Sequence, residues 1–167
     1  MTGVAGTGKT SVLAELQKYG FVVIDLDATG LCRWKNKETE EFTEYGLQGK
    51  DYDWLQHHGW YCDVEKLKIL LSCIREDKNV FVGGIVENLY DVSQVFDKKF
   101  LLSVDKSILK ERLLTRTNNH FGKKQDEQQF IIESSAKISE KLLNFVEISS
   151  NDSSQKTTKN ILKELNL

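Results

Sequence analysis

The residues best suited to chemistry stand at the beginning of the chain. Residues 3–10 follow the spacing G-x-x-x-x-G-K-[ST], with glycines before a lysine and a hydroxyl side chain. Glycines allow successive backbone N–H groups to turn inward around an anion. The lysine can reach phosphate groups, and the hydroxyl can bind Mg²⁺. The sequence therefore predicts a phosphate-binding loop formed by Gly3, Val4, Ala5, Gly6, Thr7, Gly8, Lys9 and Thr10, with Ser11 adjoining it.

A helix is expected directly after this loop, whose spacing is the Walker A motif. Apolar residues recur at helical spacing from Val12 to Leu16, and Gly20 ends the pattern. The N-terminal end of the helix would point its positive dipole at bound phosphates. The alternative is a glycine-rich turn before an ordinary helix. A buried strand normally precedes such a loop, and only two residues precede Gly3, so we expect a truncated first strand and a natural chain that begins further upstream.

Two carboxylates, the acidic pair Asp25 and Asp27, stand at the end of a predicted strand over Phe21–Asp25. Side chains two residues apart on an extended chain point the same way, so both can converge on one site. One carboxylate could orient Mg²⁺ through water, and the other could accept a proton from an attacking hydroxyl or position it. The alternative is a solvated turn.

Two further pairs follow later in the sequence. Gly83 and Gly84 come after the apolar strand Val80–Val82, and their small size would let a phosphate or an acceptor approach the backbone. Arg112 and Arg116 are four residues apart, so they share one face of a helix. One arginine could stack on adenine and the other could reach phosphates. The alternatives are a plain turn for the glycines and an exposed helix face for the arginines.

Two connecting segments are expected to enclose the site. Residues 117–124 are polar, basic and contain a glycine, which is typical of a lid that closes over phosphates and excludes water. Residues 28–62 join two predicted strands, and we expect them to form an acceptor subdomain. Within it, Arg33, Trp34 and Lys35 offer cationic and stacking groups for an anionic or planar acceptor. The aromatic residues between 52 and 61 are more typical of a small core than of a binding site.

The rest of the chain consists of alternating strand and helix patterns. Strands are predicted at Phe21–Asp25, Val80–Val82, Phe100–Val104 and Phe145–Ile148, and helices at 63–77, 87–96, 105–116, 126–144 and 153–167. This alternation predicts one α/β domain over residues 1–167, a three-layer α/β/α arrangement with a parallel sheet of about five strands. Ligands bind at the carboxyl ends of the strands in such sheets.

The composition excludes several classes of protein. Lysine and arginine number 23 and aspartate and glutamate 25, a net charge of −2, so no basic field favours nucleic acid or an anionic membrane. No apolar run reaches the length of a transmembrane helix. The odd number of cysteines, without C-x-x-C spacing, is typical of reduced thiols. We expect a soluble cytoplasmic protein with a small-molecule partner and neither nucleic acid nor membrane as partner; the oligomeric state stays open.

The order of these motifs resembles the nucleoside-monophosphate-kinase-like P-loop kinases, a superfamily that includes adenylate, shikimate and gluconate kinases. The resemblance rests on Gly3–Thr10, Asp25-x-Asp27, Gly83-Gly84 and Arg112-x-x-x-Arg116 before the lid. It implies the P-loop NTPase fold, ATP with Mg²⁺ as cofactor, and transfer of the γ-phosphoryl group to a hydroxyl or phosphate of a small acceptor. The alternative is a nucleotide-binding regulatory or assembly protein that uses the same fold as a switch.

The resemblance also implies residue roles. Asp27 would hold the acceptor hydroxyl, and Asp25 would help the P-loop threonine to bind Mg²⁺. Arg112 would stack on adenine and Arg116 would contact phosphates, so Lys9, Asp27 and Arg116 are the expected catalytic residues. Shikimate kinases also carry an F-R-x-x-E acceptor motif and an R-P-L-L lid, which this chain lacks. Shikimate is therefore not predicted as the substrate.

Overall fold

The structure is a computed structural model that describes residues 1–44, 51–117, 121–142 and 144–167. Its strands are β1 (Val22–Asp25), β2 (Cys32–Asn36), β3 (Phe42–Thr43), β4 (His58–Cys62), β5 (Val80–Gly83), β6 (Phe100–Ser103) and β7 (Val146–Ser149). Its helices are α1 (Lys9–Lys18), α2 (Tyr52–His57), α3 (Val64–Ser72), α4 (Leu89–Ser93), α5 (Lys106–Thr115), α6 (Gln125–Lys141) and α7 (Ser154–Glu164). Within the described ranges, none of these helices has the length and apolar character needed to cross a membrane.

The main sheet is parallel and is joined in its middle by the first two residues. Strand β1 pairs with β5, and β6 pairs with β7, each in parallel. The Met1 amino group donates to the Val82 carbonyl at 2.6 Å, while the Thr2 N–H donates to the Phe100 carbonyl at 2.8 Å. The strand order is therefore β1, β5, Met1–Thr2, β6, β7. The predicted α/β fold with a parallel sheet of about five positions is confirmed, with two residues in the central position.

Alternate residues of the strands face opposite layers, which produces the three-layer arrangement. On β1, Ile24 packs in a cluster with helices α3 and α4, whereas Val23 packs against a second cluster that includes helices α1 and α7. Leu16 and Leu102 lie in this second cluster and are almost completely buried. Strands buried on both faces have continuous apolar runs rather than alternating ones, which is why the sequence predicted them.

Two of the predicted helix starts lie at aspartates, and the two side chains make different contacts. Asp63 caps α3, since its carboxylate accepts a hydrogen bond from the Lys66 N–H at 3.1 Å. Asp105 is the N-cap residue of α5, but its side chain forms no capping hydrogen bond. The backbone N–H of Asp105 donates to the Asn151 amide oxygen at 2.8 Å. This hydrogen bond joins the start of α5 to the loop after β7.

A second, antiparallel sheet lies within residues 28–62, where the sequence predicted no strands. Its order is β3-β2-β4, and Trp34 of β2 lies directly opposite Trp60 of β4. Residues 45–50 of the predicted acceptor subdomain and 118–120 of the predicted lid lie outside the described residues. This small sheet stands beside the carboxyl ends of β1 and β5 because the chain enters it from Asp25.

Candidate active site

The phosphate-binding loop has a backbone that requires glycine. Gly3, Gly6 and Gly8 have φ values of +146°, +92° and +89°, a region that residues with a Cβ rarely adopt. At Gly3 a Cβ would also lie 2.6 Å from the Leu102 carbonyl oxygen of β6. The loop is therefore pressed against the sheet, and its shape is set by the main chain.

Helix α1 begins at this loop without a side-chain cap. Its N-cap residue is Gly8, and no acidic residue stands in its first turn. The first amide N–H groups of a helix have no partner within the helix, so those of Lys9, Thr10 and Ser11 are available to an anion. An uncapped helix start behind a glycine loop fits the phosphates of a nucleotide.

The Lys9 ammonium group lies across the loop. It donates to the Gly3 carbonyl at 2.6 Å and to the Val4 carbonyl at 3.0 Å. Burial lowers the pKa of Lys9 from 10.5 to about 8, and the nearby carboxylates of Asp27 and Asp25 oppose this shift. Because burial disfavours the charged form of Lys9, an anionic ligand that binds beside it would stabilise that charge.

The first carboxylate of the acidic pair is oriented by two hydrogen bonds. The Thr10 hydroxyl donates to one oxygen of Asp25 at 2.9 Å, and the Asp27 N–H donates to the other at 3.1 Å. A hydroxyl and a carboxylate side by side fit Mg²⁺, which prefers oxygen ligands and keeps water and phosphate ligands in such sites. Among the described residues no group of three or more His, Cys, Asp or Glu is placed to hold a metal, so nucleotide and water would complete the shell.

The second carboxylate, Asp27, faces the cavity beside an indole. The Trp60 Nε1–H donates to Asp27 at 2.9 Å. Burial raises the pKa of Asp27, and the Lys9 ammonium group opposes the rise. The sequence pattern favours a small aromatic core for Trp60. No sequence pattern identifies an indole N–H that donates to a distant carboxylate.

The arginine pair separates into two roles. The Arg112 guanidinium donates to the carbonyls of Ser150, Asn151 and Asp152 at 2.7, 3.4 and 3.3 Å, and so joins α5 to the loop after β7. The Nε and one Nη of Arg116 are buried and form no hydrogen bond with the part of the chain that the structure describes. Burial lowers the pKa of Arg116, while the Glu127 carboxylate opposes this. Two nitrogens of this buried cation are therefore suited to an anionic ligand.

A carboxylate that the sequence reasoning missed anchors the described end of the predicted lid. Glu127 of α6 is only 2% exposed and accepts hydrogen bonds from the N–H groups of Gly122 and Lys124 at 2.7 and 3.3 Å. Gly122 has φ +95° and packs against Arg116. An acidic residue in the first turn of a helix was the available signal, since such residues commonly bond back to the preceding backbone.

A cavity of about 1140 Å³ brings most of the predicted residues together. Residues 4–11 line it, with Asp27, Arg112 and Arg116. Gly3 and Asp25 lie directly behind this wall, through the contacts of Lys9 and Thr10 described above. The cavity also has aromatic walls from Trp34, Trp60 and Phe121, which come from separate parts of the chain.

The structure does not bring Arg33 to this cavity. The Arg33 guanidinium lies 3.8 Å from the centre of the Phe42 ring, a cation–π contact. Neighbouring residues of a strand point to opposite faces, so Trp34 lines the cavity while Arg33 turns away from it. The expectation that Arg33 contacts the acceptor has no support from its position.

Gly83 and Gly84 also lie apart from the cavity lining. A Cβ at Gly83 would lie 2.9 Å from the Leu13 side chain of α1, and one at Gly84 would lie 2.8 Å from the Leu26 side chain. Both glycines let buried leucines pack against the end of β5. This packing explains the two glycines without contact to a phosphate.

The sequence matches a known family over most of its length. A family model described as an AAA domain matches residues 1–133. No curated protein matches the sequence as a relative.

Solved structures resemble the whole chain. Shikimate kinase from Bacteroides thetaiotaomicron has a TM-score of 0.57 at 19% identity and covers 99% of this chain and 96% of its own. A gluconokinase from Sinorhizobium meliloti 1021 has a TM-score of 0.55 at 16% identity, covering 99% and 89%. TT1252 from Thermus thermophilus has a TM-score of 0.57 at 18% identity, covering 99% and 93%. At these identities the likeness concerns the fold, which is that of P-loop kinases.

Proposed function

Because the chain belongs to the AAA-domain family, with the fold of P-loop kinases, we propose that it is an ATP-dependent phosphotransferase. It would transfer the γ-phosphoryl group of ATP to a hydroxyl or phosphate group of a small molecule. One observation carries the proposal: Lys9, Asp27 and Arg116 face a single cavity beside an uncapped helix start. Two cations and one carboxylate in a half-enclosed cavity suit phosphoryl transfer, which depends on positioning and on charge stabilisation.

The donor side of the site would hold the triphosphate. The N–H groups of the loop and of the first turn of α1 bind phosphate oxygens, and Lys9 leaves its carbonyl partners to pair with them. Arg112 keeps the loop after β7 beside the nucleotide, and its planar group can stack on adenine. Mg²⁺, held by Thr10 and Asp25, would neutralise phosphate charge when bound.

The acceptor side would present the attacking oxygen. Asp27 orients the acceptor hydroxyl and takes its proton as the new O–P bond forms and the bond from the γ-phosphorus to the bridging oxygen breaks, releasing ADP. Its raised pKa keeps the carboxyl a better proton acceptor than an ordinary aspartate. Lys9 and Arg116 stabilise charge on the oxygens of the transferred group.

The test is ADP release from Mg-ATP with and without a pooled extract of small metabolites. Wild type is compared with Asp27→Asn, and Asp53→Asn, an exposed aspartate of α2, is the matched control. We expect extract-dependent ADP release to fall at least about 100-fold in Asp27→Asn, with Mg-ATP still bound, and to stay unchanged in the control. Release that ignores both the extract and Asp27 would contradict the proposal. ATP binding without any release would favour the nucleotide-binding regulatory or assembly protein.

We also propose a cytoplasmic protein with a small molecule, rather than nucleic acid or a membrane, as its partner. The net charge of −2 provides no basic surface for anionic polymers or lipids. All three cysteines are free thiols, two of them buried, as expected of a reducing compartment.

A further inference from the structure

Aromatic rings surround the carboxylate that would hold the acceptor. Trp60 donates its indole N–H to Asp27, and the ring of Trp34 lies 5.5 Å from that of Trp60 between centroids. The ring of Phe121, within the predicted lid, lies 6.4 Å from that of Trp34 between centroids. All three line the cavity, and we call them the aromatic wall. Their faces offer stacking surface next to the position of the acceptor hydroxyl.

The cations of the acceptor sheet are turned away or already paired. Arg33 lies over Phe42, and the Lys35 ammonium lies 4.4 Å from the centre of the Tyr61 ring and 3.1 Å from the Glu40 carboxylate. Neither Arg33 nor Lys35 lines the cavity.

Two further lysines of the cavity lining, Lys37 and Lys137, each have a carboxylate nearby. The Lys37 ammonium lies 3.3 Å from a carboxylate oxygen of Glu87, which also lines the cavity. The charge of Lys137 on α6 is opposed by the Glu133 carboxylate. An acceptor carboxylate or phosphate at either lysine would meet a neighbouring carboxylate that competes for the same ammonium group, which disfavours an anionic acceptor.

We infer that the acceptor is a neutral alcohol attached to a planar aromatic or heteroaromatic ring. This inference rests on the proposed phosphotransfer. The ring stacks on the aromatic wall, and the hydroxyl reaches Asp27. Stacking on an aromatic side chain contributes a gain in affinity of about 5- to 150-fold per ring. The paired lysines exclude anionic acceptors of the same size.

A matched set of probes tests the ring and the charge separately. Wild-type protein, with its donor site filled by a non-hydrolysable ATP analogue, is titrated calorimetrically with uridine, cytidine, guanosine and pyridoxine. Ribose is the probe without a ring, and uridine 5′-monophosphate, shikimate and gluconate are the anionic probes. At least one neutral ring compound should bind about tenfold or more tightly than ribose and than every anion. Tighter binding of an anion, or no binding by any ring compound, overturns the inference.

A pair of tryptophan variants locates the bound ring. Trp34→Leu removes a ring that lines the cavity, whereas Trp54→Leu removes a neighbouring ring that stacks on His58 at 3.9 Å and does not line it. The first should weaken binding of the ring compound at least about tenfold, and the second less than about twofold. Equal losses in both variants would overturn the assignment. Trp34→Phe, which keeps a ring, should retain most of the affinity and guards against a folding defect.

The charge argument has its own variant. Glu87→Gln leaves Lys37 without its carboxylate, so the affinity for uridine 5′-monophosphate should rise several-fold relative to uridine. An unchanged ratio would show that the pairing of Lys37 does not determine the selection against anions.

Binding and transfer can fail separately. Ring compounds that bind through Trp34 but never stimulate ADP release would overturn the proposed phosphotransfer and leave the ring site standing. ADP release stimulated only by anionic metabolites would support phosphotransfer and overturn the inference about the acceptor.

Discussion

The two sides of the cavity are built by different means. The donor side is one continuous stretch, residues 3–11, whose shape comes from glycine backbone and a helix start. The acceptor side is made of side chains from β2, β4 and the described part of the predicted lid, with Trp34 and Trp60 brought together only by strand pairing. A site made of backbone keeps its ligand class while side chains vary. A site made of side chains can change its ligand through a few substitutions.

The two sides of the cavity also differ in the partners of their positively charged side chains. On the donor side, two buried nitrogens of Arg116 form no hydrogen bond with the described residues, and Lys9 donates to the backbone carbonyls of Gly3 and Val4. On the acceptor side, the Lys37 ammonium lies 3.3 Å from a carboxylate oxygen of Glu87. These charges agree with the proposed polyanionic donor and neutral acceptor.

The largest effect is expected from Lys9→Met. This change removes the donor-side ammonium, and extract-dependent ADP release should fall at least about 100-fold because charge on the transferred group loses its partner. Stability to urea should not fall, since burial already disfavours the charged lysine. Calorimetric binding of the ring compound should be unchanged in the absence of nucleotide. A loss of ring-compound binding alongside the loss of ADP release would show that the two sides are not independent.

The next effect concerns pH and again belongs to the donor side. With a pKa of about 8 in the free protein, Lys9 is charged below that pH and neutral above it. A bound triphosphate favours the charged form and raises this pKa, so binding above pH 8 must take up a proton. The Kd of Mg-ATP should be flat below about pH 8 and rise by up to about tenfold per pH unit above it. Lys9→Arg, charged at all these pH values, should remove the slope.

A flat Kd of wild type from about pH 7 to about pH 10 would contradict this prediction. The affinity for the neutral ring compound serves as the internal control, since no charge on Lys9 is needed to bind it.

The contrast also explains what could be predicted from the sequence. The phosphate-binding loop and the buried strands could be predicted from the sequence, because glycine spacing and continuous apolar runs are local patterns. Strands β2 and β4 were missed because their pattern is mixed: Trp34 faces the cavity while Arg33 faces outward. The outward position of Arg33 depends on strand register, which no local pattern fixes.

Other parts of the site depend on contacts between distant residues. The hydrogen bond of Trp60 to Asp27 and those of Glu127 to the chain before α6 follow from the folded backbone. Gly83 and Gly84 show the reverse case. Two glycines at a strand end suggested a ligand, yet buried leucines account for them.

A moderate effect on the donor side is expected from Arg112→Lys. A lysine keeps the charge but loses the planar group that holds the three carbonyls of residues 150–152. The affinity for Mg-ATP should fall about tenfold, as two or three charge-assisted hydrogen bonds weaken. Arg75→Lys, which alters only an exposed pair with Asp77, is the matched control. The result to exclude is an equal loss in both variants.

The smallest effect belongs to the acceptor side and comes from Gly59→Ala. A Cβ at Gly59 would lie 2.8 Å from Cε2 of Tyr61 and 2.9 Å from Cβ and Cγ of Glu87, so these side chains must shift, and Glu87 is the partner of Lys37. The unfolding free energy should fall by about 1–2 kcal/mol. The KM for the acceptor should change about two- to threefold, while the Kd of Mg-ATP stays constant.

Gly30→Ala separates this local effect from a general loss of stability. Gly30 has φ +70° and no atom within 4 Å of an added Cβ, so alanine there costs about 1 kcal/mol of backbone strain without touching Glu87. Its acceptor KM should match that of wild type. If both alanine variants shift the KM equally, the acceptor side responds to stability rather than to the Lys37–Glu87 pair. If only Gly59→Ala shifts it, the selectivity of the acceptor side depends on side-chain placement, in contrast to the backbone that forms the donor side.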